Sequence, residues 1–157
     1  MTGIPIRRRV IVTGSRDWPD PAQVWDELDA VADLLYPGDT LTVVHGDCGR
    51  GADEAAAQWV HARQDMPGPT VLAEPHPADW AGPCTVECKR PRRQRRDGTW
   101  YCPDAGPRRN AEMVRSGAEL LLAFPLTPNR ADSPGTWGCL GLAAAARIPF
   151  RRIYPRR

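Results

Sequence analysis

Apolar positions recur along the chain with two periods, and the alternation between them predicts the elements. Residues 9–13 are nearly all apolar and β-branched after the leading arginine, as a parallel strand buried on both faces requires. Val24, Leu28, Val31 and Leu35 then fall three and four apart, which predicts a helix over residues 19–35 with Trp25 and Leu34 widening its apolar face. Asp20 suits its N-cap, Pro21 its first turn, and Pro37-Gly38 ends it. A second strand follows over 41–44, an alanine-rich helix over 52–64 and a third strand over 70–73. The rhythm breaks between residues 81 and 105. It resumes with a helix from Gly106 to about Ser116, closed by Gly117, and a strand over 119–124. A helix from Gly135 to Arg147 and a strand over 150–154 complete the pattern, and the tail, 155–157, is expected to fray. Five strands alternating with four helices predict an α/β fold: a mostly parallel five-stranded sheet with helices on both faces, carrying an insertion at about 81–105.

In such a sheet the loops after the strands converge on one edge, where ligands bind. Three glycines within residues 46–51 (Gly46, Gly49, Gly51) stand between a strand and a helix start. That arrangement suits an anion held by backbone N–H groups, and equally suits a tight turn with no ligand. Gly14, Ser15 and Arg16 follow the first strand, and Asp47 and Arg50 flank the glycines of the second loop. Arg109 and Asn110 stand at a helix start, as do Gly135 and Thr136. A cation at a helix N-terminus opposes the dipole unless an anion or carboxylate compensates it, so Arg109 is the strongest of these ligand candidates. The alternatives are structural: Arg16 pairing with Asp17 or Asp20, Arg50 with Asp47 or Asp53, and Gly135-Thr136 as a plain cap. His45 suits either a ligand contact or a structural strand end. Asp79-Trp80 could orient a base or sugar, although Trp80 reads better as a core anchor.

A chain of 157 residues suits one domain, residues 1–157. Its net charge of +2 gives no global argument for nucleic acid, and no apolar run approaches the roughly 20 residues that span a bilayer. The short basic N-terminus leads into a strand pattern rather than a signal-peptide core, which predicts a cytoplasmic protein without a membrane partner. Five cysteines, an odd number, then favour free thiols or metal over disulfides. Three of them, Cys84, Cys88 and Cys102, have spacings compatible with a small structural zinc loop, for which His76, Asp104, Cys48 or Cys139 could supply a fourth ligand. Reduced thiols or a disulfide are the other readings, and nothing predicts a redox cofactor. Residues 89–96 carry six Lys or Arg in eight, with Trp100 and Tyr101 behind them. They read as a solvated loop or as a single-stranded nucleic-acid contact.

Taken in order, residues 10–18, Val44-His45-Gly46, residues 49–53, residues 76–80, residues 106–110 with Met113, Ala123-Phe124-Pro125 and Gly135-Thr136 resemble the SLOG superfamily, in the branch related to YspA and YpsA that is common in actinobacteria and their phages. The resemblance covers nearly the whole chain outside the insertion. It implies a Rossmann-like fold and a nucleotide-type ligand at the strand C-termini. Relatives include the LOG phosphoribohydrolases, the DNA-processing protein DprA and sensor domains of anti-phage systems. LOG enzymes share an arginine before a helical methionine, here Arg109 and Met113, and a Gly-Thr-x-x-Glu motif whose glutamate assists N-glycosidic cleavage. Here Gly135-Thr136 leads to Cys139 where that glutamate would stand. The anion needed to support an oxocarbenium-like centre is absent at this position.

The sequence therefore predicts binding of a nucleotide or nucleotide-derived, phosphate-containing small molecule before it predicts a reaction. A glycosidic or phosphoester hydrolase is the second reading, with Arg109, Asp47 and Asp79 as catalytic candidates and Asp17 and Asp53 as further acids. Nucleic-acid binding through the basic insertion is the third. The apolar helices also allow a homodimer.

Overall fold

A computed structural model describes residues 3–157. Strand β1 (Arg7–Gly14) lies at the centre of a five-stranded sheet. Helix α1 (Pro21–Ala32), β2 (Thr40–His45), α2 (Gly51–Arg63) and β3 (Thr70–Pro75) follow on one side of it. The insertion contributes a short hairpin, β4 (Arg93–Gln94) with β5 (Trp100–Tyr101), antiparallel and separate from the main sheet. Helix α3 (Ala105–Arg115), β6 (Leu120–Phe124), a 3-10 turn (Arg130–Asp132), α4 (Pro134–Ala145) and β7 (Phe150–Arg152) complete the chain. The sheet order is β3-β2-β1-β6-β7 and every neighbouring pair is parallel. The expected α/β, Rossmann-like sheet with helices on both faces is the one that forms.

Strand alternation divides the core. Val10 and Val12 of β1 project into a cluster with Leu41, Val43, Leu122 and Phe124, covered by Val24 and Leu28 of α1 and Ala56 and Trp59 of α2. Ile11 projects the opposite way, joining Val44, Leu121 and Ala123 beneath Met113 and Val114 of α3 and Leu140 and Ala143 of α4. Both faces being covered explains why the strands read as continuous apolar runs. Chain order reverses between β1 and β6, so the crevice at that switch point opens at the C-terminal edge of the sheet.

A polar strap crosses the α3 face. Arg9 grips both carboxylate oxygens of Glu74 at 2.8 and 2.6 Å and donates Nε to the Gly117 carbonyl at 2.9 Å. It thereby ties β1 to the edge strand β3 and to the end of α3. The hydrogen bonds from Arg9 hold the Glu74 carboxyl at about 2, well below the ordinary range. Glu74 also meets His76 Nε2 at 2.9 Å, while His76 Nδ1 faces Glu112 at 3.0 Å. Burial disfavours the charged imidazole, but the two carboxylates outweigh it and raise its pKa. Both ring nitrogens of His76 are thus engaged, and it stands outside the cysteine cluster, so it is not the fourth ligand suggested by its sequence position.

Several local expectations are corrected. Helix α1 stops at Ala32, so Leu34 lies in the following turn and is 79% exposed instead of widening the apolar face. The tail, expected to be free, is engaged at Arg156, which pairs with Asp20 at 2.9 Å and Asp26 at 3.1 Å and whose backbone N–H donates to Gln23. The break in periodicity at 81–105 hides a hairpin that turns at Gly98, whose φ of 89° is left-handed. Among the described residues no helix is long and apolar enough to cross a membrane.

Candidate functional site

The ends of β1 and β2 and the starts of α2, α3 and α4 enclose a cavity of about 470 Å³ at the C-terminal edge of the sheet. Gly14, Ser15, Arg16, Gly46, Arg50, Arg109, Asn110, Gly135 and Thr136 all line it. Gly51 stands immediately behind, at the first residue of α2 with φ 73°. A side chain there would be strained and would collide with the Ser15 carbonyl and the Arg16 backbone. Gly51 therefore lets α2 begin against the end of β1, where Ala52 N–H donates to the Ser15 carbonyl at 3.2 Å. Asp47 and Asp79 do not line this cavity: Asp47 is exposed in the β2–α2 loop with φ 55°, and Asp79 is exposed beside Gly82.

The three helices that open into the cavity share a property that the fourth lacks. Helix α1 is capped in the expected way, Asp20 accepting from Gln23 N–H at 3.2 Å. None of α2, α3 or α4 has a side-chain cap. The N-cap of α2 is Arg50, a cation with no acceptor. Asp104, at the α3 cap, accepts instead from the Lys89 and Arg90 amides at 2.6 and 3.0 Å and from Arg90 Nε at 2.6 Å. Ser133, at the α4 cap, accepts from Leu126 N–H at 3.0 Å. Three helix starts therefore bring partial positive charge to one cavity with no side-chain acceptor capping any of them.

Two guanidinium groups reinforce that polarity. Arg16 lies over the Trp80 ring, 5.4 Å from its centroid. Arg109 bonds the Gly46 carbonyl through Nη1, reaches the His76 carbonyl at 3.4 Å, and sets its Nε on Asn110 Oδ1 at 2.9 Å. Asn110 Nδ2 in turn donates to the Gly135 carbonyl at 3.2 Å, joining α3 to α4. Among the described residues neither Arg16 nor Arg109 forms an ion pair with a carboxylate. Arg50 pairs with Asp17 at 3.7 Å, not with Asp47 or Asp53, and both partners are largely exposed.

Asp53 is the carboxylate that the fold buries beside the cavity. It is 8% exposed and its Oδ2 accepts from Cys48 N–H at 3.3 Å. A side chain at Gly46 would meet both Asp53 Oδ2 and the Arg109 guanidinium, so glycine there lets the carboxyl and the cation approach one another. Burial raises the Asp53 carboxyl to about 6, against the opposing effect of Arg109 and the Cys48 amide. In sequence Asp53 looks like an ordinary first-turn helix carboxylate; only the packing of α2 against β1 sets it apart. Cys139, at the LOG glutamate position, is fully buried among α3 and α4 residues and does not line the cavity. Burial pushes its thiol up to about 11.

His45 is buried at the end of β2 and its Nδ1 accepts the Asp47 amide at 3.0 Å, which fits the structural reading. Burial lowers its pKa. Trp80, read as a core anchor, is instead half-exposed and stands as a wall of the cavity. The signal for this lay in its flanks, since Pro77-Ala78-Asp79 and Ala81-Gly82 have no apolar periodicity with which to bury an indole.

The insertion gathers Cys84, Cys88 and Cys102. Their sulfur atoms lie within 4.8 Å of one another, and Cys88 and Cys102 are 3.5 Å apart. Thiolates around tetrahedral zinc stand about 3.8 Å apart, so the donor set fits a soft, sulfur-bound metal. Arg108 Nη2 lies 3.6 Å from Cys102 Sγ and its buried Nε has no partner, which places positive charge beside the sulfurs. Asp104 is taken up by Lys89 and Arg90, and Cys139 by the core. Among the described residues no His, Asp, Glu or further Cys joins the three sulfurs.

The buried carboxyl has a consequence for stability. Below about pH 4 Asp53 is protonated in both the folded and the unfolded chain. Between about pH 4 and 6 the unfolded chain releases a proton that the folded chain retains, so stability falls as pH rises and levels off above 6. Asp53→Asn is expected to remove that decline and to gain about 2 kcal/mol at pH 7.5 relative to wild type. Urea unfolding of both proteins at pH 4.5 and 7.5 measures it, and parallel pH profiles would refute it.

The model of the YspA, cpYpsA-related SLOG family (YAcAr) matches residues 8–82. These span β1 through β3 and the loops that form the Ser15, Gly46 and Trp80 walls. The chain is also 42% identical over 143 residues to the Gene 61 protein of Mycobacterium phage D29, covering 90% of this chain and 93% of the phage protein. No solved structure matches the chain. With the parallel sheet and the ordered motifs in place on both sides of the insertion, the chain belongs to the YspA, cpYpsA-related SLOG family.

Proposed function

We propose that the protein binds the phosphate of a nucleotide or nucleotide-derived small molecule in the cavity at the C-terminal edge of its sheet. The observation that carries this reading is the convergence of three helix starts without side-chain caps on a space that also holds two arginines without carboxylate partners. Such a space is costly to leave without an anion and well matched to a phosphate, whose oxygens accept backbone N–H and guanidinium bonds together. Membership of a SLOG family points in the same direction at the level of nucleotide-related binding or processing. Arg16 gives the cleanest test, because its guanidinium lies over the Trp80 ring and its loss spares the hydrogen bonds that Arg109 makes to the Gly46 and His76 carbonyls. Nucleoside mono- and diphosphates are expected to raise the melting temperature of the wild-type protein by mass action. Arg16→Ala is expected to weaken that binding by roughly tenfold or more while the ligand-free protein melts as before. A wild-type protein that no such nucleotide stabilises would sink the reading.

Asp53 supports a second reading, hydrolysis of the bound nucleotide. A carboxyl held near pH 6 beside a guanidinium, in the same cavity, can exchange a proton close to neutral pH. If it does so, chromatography will detect release of base or phosphate from a nucleoside monophosphate, and Asp53→Asn will abolish release while nucleotide binding persists. Undiminished turnover in that variant would exclude Asp53 from the chemistry.

The cysteine cluster is proposed to hold one structural zinc ion. Cys84, Cys88 and Cys102 would supply three thiolates, and the metal would tie together a segment too poor in apolar residues to hold itself. Elemental analysis is expected to find about one zinc per chain. Removing it should expose the arginine-rich segment 89–96 to rapid trypsin cleavage, and Cys88→Ser should behave likewise. Less than a tenth of an equivalent of zinc, or unchanged protection after chelation, would count against the site.

A further inference from the structure

Beyond Trp80 the cavity continues into a second chamber of about 600 Å³. The two share Arg16, Gly46, Cys48, Trp80 and Arg109 as common walls. The outer chamber adds Arg95 and Tyr101 from the insertion and Asp47 and Gly49 from the β2–α2 loop. Its character differs from that of the inner cavity. The inner cavity is walled largely by helix starts, whereas the outer one is walled by two aromatic rings, each with an arginine over it. Arg16 stands over Trp80 at 5.4 Å, and Arg95 over Tyr101 at 4.4 Å. The rings themselves meet edge to face, with centroids 6.5 Å apart at 62°.

The aromatic wall is held in place from three sides. Gly106 at the start of α3 lies so close to the indole that a Cβ there would stand 2.9 Å from it. Cys102 N–H donates to the Trp80 carbonyl at 2.8 Å, joining the insertion to the ring-bearing loop. Tyr101 immediately precedes Cys102, one of the three clustered cysteines. Pairing of β4 with β5 brings Arg93 opposite Tyr101 and leads directly into Arg95. An apolar plug would not need two guanidinium planes, and a bare phosphate site would not need two rings. Aromatic rings with guanidinium groups over them are suited to a flat, polarisable heterocycle.

We propose that this outer chamber takes the nucleobase of the ligand, with Tyr101 and Arg95 as its stacking residues, so that the insertion, and not the SLOG core, supplies recognition of the base. The proposal rests on the reading of the inner cavity as the phosphate site. It places the two ends of a nucleotide on opposite sides of Trp80 and predicts that the phosphate and base contacts are separable by mutation.

The test compares AMP, GMP, CMP and UMP with ribose 5-phosphate, which keeps the phosphate and sugar but has no base. Calorimetric titrations of wild type, Tyr101→Ala and Tyr101→Phe are sufficient. Wild type is expected to bind at least one of the four nucleotides about tenfold more tightly than ribose 5-phosphate. Tyr101→Ala should lose that advantage while its affinity for ribose 5-phosphate stays unchanged, and Tyr101→Phe, which keeps the ring, should retain it. Equal affinity of the wild type for ribose 5-phosphate and all four nucleotides would overturn the base site and leave the phosphate site standing. Parallel loss of both ligand types in Tyr101→Ala would also overturn it, since the ring would then be supporting the fold of the site instead of touching the base. Failure of every ligand to bind the wild type would overturn the phosphate reading and this one with it.

Discussion

The guanidinium of Arg109 joins the pieces of this site. It reaches from α3 to the carbonyl of Gly46 at the end of β2 and towards that of His76 beyond β3, and through Asn110 it is coupled to the start of α4. Backbone bonds tie neighbouring strand ends pairwise, Ala52 N–H to the Ser15 carbonyl and His76 N–H to the His45 carbonyl, while the tie from α3 to the loop carbonyls comes from a side chain. One arginine satisfying two such carbonyls supplies that tie. Its position also accounts for two oddities nearby. Gly46 admits no side chain because Arg109 and Asp53 occupy the space, and Asp53 is kept from an ordinary acidity by burial that Arg109 only partly offsets.

The sheet was legible from the sequence because a doubly covered parallel strand leaves an unambiguous apolar run. Residues 9–13 lie within β1, and the strand read over 119–124 forms over Leu120–Phe124, each with one face in either core cluster. Element ends were less legible. Leu34 continues a helical period, yet the turn 3-10-like end at Asp33 takes it out of the helix, because periodicity does not register where backbone hydrogen bonding stops. The tail looked free because the acids that hold Arg156, Asp20 and Asp26, lie about 130 residues away in the chain.

The candidate site divides in the same manner. Glycine and arginine positions on the loops were readable, since loops after parallel strands must meet at one edge. Asp53 and Trp80 required the fold. A carboxylate in the first turn of a helix is ordinary in sequence, and its burial depends on how α2 packs against β1. A tryptophan is apolar enough to suggest a core, and only the approach of Gly106 and Tyr101 turns it into a wall between two chambers. The three cysteines were found by their spacing, but His76 was a misleading neighbour, because proximity in sequence says nothing of the two carboxylates that hold its ring.

The missing caps connect the insertion to the cavity proposed to hold an anion. A helix whose cap residue satisfies its first amides has less to offer a ligand. In α3 the cap position is occupied by Asp104, a residue well able to cap, yet its carboxylate is drawn away by the Lys89 and Arg90 amides and the Arg90 guanidinium. The insertion thus gains a buried acceptor for its own turn and leaves α3 without a side-chain cap. Asp104 follows the clustered Cys102 by two residues, and the Lys89 and Arg90 amides it accepts follow Cys88 directly, so the carboxylate and the cysteines share one turn of the insertion. An Asp104 turned back onto α3 would find only the Gly106 amide to cap, since Pro107 has no N–H and Ala105 N–H meets the Cys102 carbonyl, and its charge would oppose the anion proposed for the cavity. On the proposed reading, the order of the insertion and the anion affinity of the cavity meet at one carboxylate, even though the insertion lies outside the sheet that builds the cavity.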